Sequence, residues 1–308
     1  MNAFGFYALS RPEKLGILLA RNTFAGRGSI RPLIEALFLP KRDTPRDCEI
    51  WGGQAKLRLP PKSSLKYILA DERYNKAELE FLKLEIRPRD VFIDIGANIG
   101  FYTLWVGTLR SPDVRIISVE PNPSVYSALC ENIDLNGLAN VVTVQAAIGE
   151  RDGETSFGVI PDGPGVGSIL EKNGEQITVK MRTLANILSD HGAERCDILK
   201  IDVEGYEHHA LMPYLTTTPT RNWPRALIIE QNGKSKSWPT DLIGFIVSSG
   251  YAVTLRTNGN VILSKNPEPH PTNERMMPGV YERPSRDAAL NRTLLVPNQG
   301  EHDSKFPH

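Results

Sequence analysis

The sequence has few of the features that direct a protein into or across a membrane. No stretch approaches the roughly 20 apolar residues that a spanning helix needs, and the longest early run, residues 15–20, is far shorter. The first residues also lack a basic segment followed by an apolar run and a small-residue cleavage site, the pattern of a secretory signal. We therefore expect a cytoplasmic protein without a membrane span.

The sequence also has few cysteines and a formal net charge of zero. The three cysteines, Cys48, Cys130 and Cys196, are widely spaced, and none belongs to a C-x-x-C pair, which argues against a zinc or redox site of that type. Lys plus Arg and Asp plus Glu number 36 each, so no net field attracts a polyanion. The composition gives no clear sign of a nucleic-acid partner and leaves the oligomeric state open.

Apolar residues, in contrast, make up 40% of the 308 residues, enough for the core of a large domain. Their period alternates between short apolar runs, typical of buried parallel strands, and longer amphipathic segments, typical of helices. Strands are predicted at 91–95, 114–119, 141–145, 198–201, 226–230, 251–255 and 261–264. Helices are predicted at 74–84, 99–109, 123–135, 184–191, from about 206, and at 241–249.

The same pattern divides the chain into three parts. Residues 1–64 have too weak a pattern for a fold prediction and are interpreted as an accessory region. Residues 65–265 form the α/β domain, with an inserted hairpin of strands 154–159 and 176–181 joined by a glycine-rich loop at 160–167. Residues 266–308 are rich in Pro, Asn, Arg and His and are predicted to be an irregular tail.

A ligand-binding constellation follows the first two strands of this domain. Asp94 lies near the end of the first strand, and Gly96 and Gly100 bracket the turn into the next helix, where the lack of a Cβ lets the backbone approach a ligand. Glu120 follows the second strand, where a carboxylate can accept hydrogen bonds from both ribose hydroxyls of an adenosine. The alternative is that the two glycines only permit a tight strand-to-helix turn.

The details of the loop favour a methyl donor over a dinucleotide. A nicotinamide fingerprint has the pattern G-x-G-x-x-G, but Asn98 and Phe101 occupy its second and third glycine positions. A pyrophosphate would meet side chains there. Asp94 adds a negative charge that suits the cationic amino group of a methionine moiety better than a phosphate.

The sequence resembles the FkbM-type methyltransferase family in four ordered blocks, at 91–103, 118–123, 131–137 and 199–207. The first block contains Asp94-Ile95-Gly96-Ala97-Asn98-Ile99-Gly100. The resemblance covers roughly residues 65–265. Where the family often has Thr-Leu-Asp, this chain has Thr183-Leu184-Ala185, so any role of that carboxylate is absent.

The resemblance implies a Rossmann-like class I methyltransferase fold, a doubly wound, mostly parallel sheet with an antiparallel edge strand and the inserted hairpin. It also implies S-adenosylmethionine as methyl donor and, usually, O-methylation of a hydroxyl on a sugar, polyketide or related small metabolite. Alternatives are an N-methyltransferase, a methyltransferase acting on a macromolecule, and a non-catalytic module that binds the cofactor. The predicted cofactor-binding residues are Asp94, Gly96, Asn98, Gly100, Thr103, Glu120, Pro121, Asn122 and Ala147.

Acidic residues at the ends of later strands are the catalytic candidates. Asp202 is the first choice for orienting or deprotonating an acceptor hydroxyl, and Glu204 is the second. Glu230 would either join Asp202 on a divalent cation or, as we prefer, bond a neighbouring loop, so no metal is predicted. The other candidates have structural explanations. Glu207 lies at the start of a helix, where the helix dipole favours negative charge. His208 and His209 are adjacent on that helix, so one of them is expected to point to solvent, and Lys200 is expected to face a carboxylate partner.

Overall fold

The computed structural model describes residues 2–22, 31–40, 42–63, 65, 67–70, 74–109, 113–159 and 167–265. These residues lie in one compact unit, Met1–Pro267. The predicted tail at 266–308 and most of the predicted loop at 160–167 fall outside the described residues. Within the described ranges, no helix combines the length and the apolar character needed to cross a bilayer.

Helices and strands alternate through most of the described chain. The helices are α1 (Arg11–Asn22), α2 (Arg31–Phe38), α3 (Tyr67–Ala70), α4 (Lys76–Glu85), α5 (Phe101–Thr108), α6 (Pro123–Leu135), α7 (Leu184–Asp190), α8 (Glu207–Thr217) and α9 (Leu242–Ser248). The strands are β1 (Arg46–Ile50), β2 (Ala55–Leu59), β3 (Val91–Ile95), β4 (Arg115–Val119), β5 (Val141–Val144), β6 (Ala147–Ile148), β7 (Gly153–Val159), β8 (Gly167–Ser168), β9 (Glu175–Arg182), β10 (Ile198–Ile201), β11 (Ala226–Glu230), β12 (Tyr251–Arg256) and β13 (Asn260–Lys265).

A seven-stranded sheet with the order β12-β13-β11-β10-β3-β4-β5 forms the centre of the protein. The five strands from β11 to β5 are parallel. The antiparallel strand is β13, which lies between β11 and β12, one place in from the edge. This is the doubly wound, Rossmann-like class I methyltransferase arrangement that the sequence predicts, and it brings the carboxyl ends of β3, β4, β10 and β11 to one edge.

The strands of this sheet are apolar because both of its faces are covered. Successive residues of β3 alternate between two hydrophobic clusters, with Phe92 in one and Ile93 in the other. The same alternation holds in β10, where Ile198 and Leu199 are both fully buried. A polar side chain within these strands is therefore held inside the protein and needs a partner there.

The predicted inserted hairpin is present as β7 and β9, which pair antiparallel over seven residues from Gly153 to Val159. These strands belong to a second sheet with the order β6-β9-β7-β8, separate from the central sheet. β8 pairs with the end of β7, so residues 167 and 168 are held against the hairpin. The segment that follows β8 reaches the edge where the central strands end.

The N-terminal region contains a β-hairpin, β1 and β2, that the sequence did not predict. Its buried side chains, among them Leu57 and Leu59, share a hydrophobic cluster with Phe92 of the central sheet. Asn132 of α6 accepts the backbone N–H of Arg58 at 2.7 Å and donates to its carbonyl oxygen at 3.3 Å. The hairpin is thereby joined to the α/β core, while the predicted boundary at residue 65 stays a prediction.

Candidate active site

The loop after β3 contacts the end of β10 through its backbone. Gly96 has φ +72°, and a Cβ at this position would collide with the carbonyl oxygen of Asp202. The N–H of Asp202 in turn donates to the carbonyl oxygen of Ile95 at 3.0 Å. Only glycine tolerates both the positive φ and the close approach, so the fold itself requires Gly96. The sequence interpretation invoked only a ligand or a tight turn.

Glu120 lies in the turn after β4 and is 7% exposed. Its Oε2 accepts the N–H of Asn98 at 3.0 Å, and its Oε1 accepts the N–H of Asn122 at 2.9 Å. Burial raises the pKa of Glu120 to about 7, against the opposing effect of the two N–H donors. Because each carboxylate oxygen can accept a second hydrogen bond, Glu120 retains the capacity to bind two hydroxyls.

A polar row crosses the central sheet behind the loop. Asp94 of β3 is in register with Ser118 of β4 and Lys200 of β10. The Thr103 hydroxyl donates to Asp94 at 2.7 Å and lies 2.7 Å from the Ser118 hydroxyl. Burial raises the pKa of Asp94, which is fully enclosed. This row fixes the start of α5 relative to the strands.

Three members of the predicted cofactor set lie behind the cavity and not in its lining. Asp94 and Thr103 are both 0% exposed, because Asp94 is at a strand position that points towards α5. Gly100 faces Leu129, whose Cδ1 would lie 2.9 Å from an added Cβ. The structure gives these three residues a supporting position, and their direct contact with a cofactor stays a prediction.

A cavity of about 300 Å³ opens beside the loop, at the carboxyl edge of the central sheet. Six predicted cofactor residues line it: Gly96, Asn98, Glu120, Pro121, Asn122 and Ala147. Its other walls are apolar where the inserted sheet approaches, with Ile148, Phe157 and Ile169. The cavity thus combines a buried carboxylate with a narrow apolar region, which suits a nucleoside.

Asp202 lines the same cavity, next to the end of β10. The Lys200 ammonium lies 3.2 Å from its Oδ2 and 5.0 Å from the centre of the Tyr102 ring. Burial acts to lower the pKa of Lys200, but Asp202 and Asp94 outweigh it and the pKa is raised. Lys200 therefore remains cationic, and Asp202 is the kind of carboxylate partner that the sequence predicts for it.

Two further acids complete this end of the cavity. Glu204 has φ +57°, a left-handed conformation that is uncommon for a residue with a side chain, and its Oε2 lies 2.6 Å from the Lys234 ammonium. Glu230 accepts a hydrogen bond from Asn232 Nδ2 at 2.7 Å, which is the loop contact that the sequence interpretation preferred. Burial and the neighbouring carboxylates Asp202, Glu204 and Glu207 raise the pKa of Glu230 to about 9.

Oxygens of Asp202, Glu204 and Glu230 lie within 4.8 Å of one another, a spacing that a divalent cation could bridge. Lys200 and Lys234 already give two of these acids a cationic partner. The acids therefore have an explanation that requires no metal, and the absence of a metal stays a prediction.

The remaining candidates have other partners. Glu207 accepts the N–H groups of Val203 and Gly205 at 3.0 and 3.1 Å, the structural role that its helix position predicts. His208 Nε2 bonds the Thr240 hydroxyl at 2.7 Å, and His209 Nδ1 bonds Glu150 at 2.7 Å. Neither histidine is part of the cavity lining in the described ranges.

Several lining residues were not predicted. Leu65, Ile68 and Tyr74 come from the segment before α4 and reach the cavity through tertiary packing. No motif marks them, and their apolar spacing is that of an ordinary core. Tyr206 was more accessible to prediction, since it lies within the 199–207 block beside Gly205.

The charge of the lining separates the two kinds of ligand considered from the sequence. Among the lining residues, four carboxylates, those of Glu120, Asp202, Glu204 and Glu230, face one ammonium, that of Lys200. With Glu230 protonated and Glu204 paired with Lys234, the Glu120 and Asp202 carboxylates remain against the Lys200 ammonium. Such a cavity favours a cationic ligand and disfavours a pyrophosphate.

Comparison with known proteins adds an independent observation. The sequence profile described as the Methyltransferase FkbM domain matches residues 94–252. The methyltransferase sdnD of Sordaria araneosa is 29% identical over 179 residues, covering 47% of this chain and 66% of that protein. The 31-O-demethyl-FK506 methyltransferase FkbM of Streptomyces tacrolimicus is 26% identical over 207 residues, covering 55% of this chain and 77% of that protein.

Among solved structures, the methyltransferase FkbM of Methylobacillus flagellatus KT aligns with 18% identity and a TM-score of 0.42. The alignment covers 65% of this chain and 52% of that one. This chain therefore spans about half of that structure and slightly under two thirds of the sdnD protein.

Proposed function

This chain belongs to the FkbM methyltransferase domain family, and on that premise we propose that it transfers a methyl group from S-adenosylmethionine to a hydroxyl of a small metabolite. The observation that carries the proposal is the acidic lining of the cavity beside Gly96. S-adenosylmethionine has a cationic sulfonium and a cationic amino group, and its adenosine has two ribose hydroxyls. Glu120 and the strand-end acids fit these groups.

The residues have distinct roles in the proposed reaction. Glu120 accepts the two ribose hydroxyls, while Ala147, Ile148 and Phe157 enclose the adenine. The bound cofactor supplies a methyl group activated by its positive sulfur. Asp202 accepts the proton that the acceptor hydroxyl loses as its oxygen forms the new bond to carbon. Lys200, 3.2 Å from Asp202, orients that carboxylate.

Positioning contributes beside proton transfer. Alignment of a nucleophile with a reacting carbon is worth several orders of magnitude in rate. The backbone contact between Gly96 and Asp202 fixes the donor loop relative to the proposed base. Glu204 and Glu230 flank that base and supply oxygens for further hydroxyls of the acceptor.

Calorimetric titration tests the first half of the proposal. S-adenosylmethionine and S-adenosylhomocysteine are expected to bind the wild-type protein saturably, and NADH is not. Saturable NADH binding without binding of the two sulfur compounds would contradict the proposal. A methylation assay with hydroxylated metabolites, peptides and RNA then separates O-methylation from the N-methyl and macromolecular alternatives. Cofactor binding without any product would indicate a non-catalytic module.

Asp202→Asn tests the second half. The amide keeps the shape of the side chain but cannot take up a proton, so most of the cofactor affinity is expected to remain while turnover falls about 100-fold or more. Chelator and added Mg²⁺ are expected to change neither rate. Loss of wild-type activity with chelator would instead make Asp202 and Glu230 metal ligands, and wild-type turnover in the variant would leave Asp202 a structural role.

A further inference from the structure

A second cavity of about 480 Å³ adjoins the first one at Glu204, which lines both. Its other lining residues come from the segment after β8 and from the short 3-10 helix Gly233–Ser237. They are Ser168, Leu170, Glu171, Gly233, Lys234, Lys236 and Ser237. The proposed function leaves this space unused.

The wall between the two cavities is the segment 167–170. Gly167 and Ile169 line the first cavity, whereas Ser168 and Leu170 line the second. The Ser168 hydroxyl contacts the carbonyl oxygens of Val203 and Glu204 at 3.3 and 3.2 Å, which ties this wall to the loop after β10. The second cavity is thus built against the same loop that carries the proposed catalytic acids.

The sizes of the cavities indicate that they have different occupants. A volume of about 300 Å³ is at the lower end of the range for a single small-molecule site. An adenosine joined to an amino acid fills such a space, so an acceptor larger than a few atoms must extend beyond it. Glu204 is the residue that lines both cavities, and Asp202 lines the first cavity two positions before it.

The charges of the second cavity indicate what the far end of that acceptor carries. Lys234 is paired with Glu204, with 2.6 Å between nitrogen and oxygen. Glu171 also lines the cavity and acts on Lys234, and its Oε1 accepts the N–H of Asn173 at 2.8 Å. Within the described part of the chain, Lys236 has no ion pair, so its ammonium is available to an anionic group. Leu170, 42% exposed, offers an apolar surface beside it.

From these observations we infer that the second cavity binds the acceptor, as a hydroxylated metabolite whose distal end carries a phosphate or carboxylate held by Lys236. The hydroxyl to be methylated lies at the junction, near Glu204 and Asp202. The inference rests on the proposed function, because it assigns the first cavity to the methyl donor. It adds an acceptor site, a chemical class and a residue that selects it.

The test uses the full-length protein saturated with S-adenosylhomocysteine and titrated with matched probes. The probes are sugar phosphates, sugar acids and their neutral parent sugars, with binding followed by ligand-observed NMR. We expect at least one anionic probe to bind about tenfold or more tightly than its neutral parent, since a charged hydrogen bond is lost with the anion. The phosphate and carboxylate arms show which anion is preferred.

Two variants locate that binding. Lys236→Glu reverses the charge, and Leu170→Trp fills the cavity; each is expected to weaken the anionic probe about tenfold or more while leaving S-adenosylhomocysteine affinity unchanged. Lys180→Glu is the matched control, since Lys180 is an exposed lysine of β9 that does not line the cavity. It is expected to bind the probe as the wild type does.

Anion-independent binding, no binding by any anionic probe, or equal binding by Lys236→Glu and the wild type would each overturn the inference. Failure of the proposed function has a different signature, because S-adenosylhomocysteine then fails to bind the wild-type protein. In that case the probes are titrated into the protein without S-adenosylhomocysteine. Weaker binding of the anionic probe by the two variants would then support the acceptor site, and unchanged binding would overturn it.

Discussion

Glu120 offers a direct measure of cofactor recognition at the scale of one residue. Glu120→Ala removes the acceptor of the Asn98 and Asn122 N–H groups and of the proposed ribose hydroxyls. We expect S-adenosylmethionine to bind more weakly by about 1–3 kcal/mol, measured by calorimetry. Glu150→Ala, which removes an exposed acid outside the cavity lining, is the control. An unchanged affinity in Glu120→Ala would remove the carboxylate from the cofactor site.

The pKa of Glu120, about 7, predicts a pH dependence of the same binding. Ribose hydroxyls donate to the carboxylate, so the cofactor favours the ionised form, and below pH 7 binding must release a proton. Affinity is therefore expected to fall as the pH decreases from 8 to 6. Calorimetry in two buffers of different ionisation enthalpy measures the proton release. Proton uptake, or an affinity independent of pH, would contradict this prediction.

Glu230 predicts a pH dependence of stability. Its pKa of about 9 in the folded protein exceeds the ordinary value of 4.5, so the folded state holds a proton that the unfolded state releases. The protonated carboxyl therefore stabilises the folded state, and this contribution is fully present below pH 4.5. It is lost as the pH rises from 4.5 to 9. Glu230→Gln removes this loss. At pH 8.5 the variant is expected to gain on the order of 4 kcal/mol relative to wild type, compared with pH 5.5.

Urea unfolding of both proteins at the two pH values measures that difference. Asp202 and Glu204 are present in both proteins, so effects that the two proteins share are largely removed in the comparison. A stability difference that is the same at both pH values would show that Glu230 is ionised throughout.

At the scale of elements, two asparagines join the N-terminal hairpin to the domain, Asn132 within α6 and Asn136 directly after it. Asn132 bonds the backbone of Arg58 and donates to the carbonyl oxygen of Ile99 at 2.9 Å, and these hydrogen bonds are buried. Asn136 bonds the backbone of Lys56 in the same way, but at an exposed position. Asn132→Ala is expected to cost about 2–3 kcal/mol of unfolding free energy, because it leaves buried backbone groups unpaired.

Asn136→Ala is the matched control for that change. Water can replace its bonds, so we expect it to cost less than about 1 kcal/mol. Chemical denaturation measures both values. Equal costs in the two variants would mean that burial of the bonds at Asn132 contributes nothing.

Elements differ in how far the sequence alone predicts them. Residues 91–95, 198–201 and 226–230 can be predicted as strands to the residue, because burial on both faces produces short, nearly all-apolar runs. β1 and β2 escape prediction because charged residues interrupt them. Asp47 and Arg58 are almost fully buried, and their side chains meet at 2.6 Å across the hairpin. No local sequence pattern predicts that ion pair.

The site residues also differ in how far the sequence alone predicts them. Glu120 and Asp202 are predictable from their positions at strand ends, since parallel strands bring such ends to one edge. The placement of Asp94 behind the cavity follows from its strand register, which a sequence motif does not reveal. Leu65, Ile68 and Tyr74 join the lining only through the packing of a distant segment, so prediction requires the tertiary structure.

At the scale of the whole molecule, the β1–β2 hairpin contributes buried side chains to the main hydrophobic cluster, which predicts the effect of removing it. Leu57 and Leu59 are fully buried in the cluster that also contains Phe92 and Leu104. Deletion of residues 1–60 is therefore expected to expose this cluster and abolish cooperative unfolding in a calorimetric scan. A truncated protein that unfolds cooperatively near the wild-type temperature would show that residues 1–64 are an appendage.

The contact between the Gly96 turn and the Asp202 carbonyl has a consequence for how such an enzyme can diversify. In the proposed reaction this contact sets the spacing between the donor loop and Asp202 through main-chain atoms, which most amino-acid exchanges leave in place. The side chains around the acceptor can then vary widely without resetting that spacing. A mutant library confined to positions 170, 236 and 237 would sample new acceptors while inheriting the alignment of the parent, so activity should survive there far more often than in a library around Gly96.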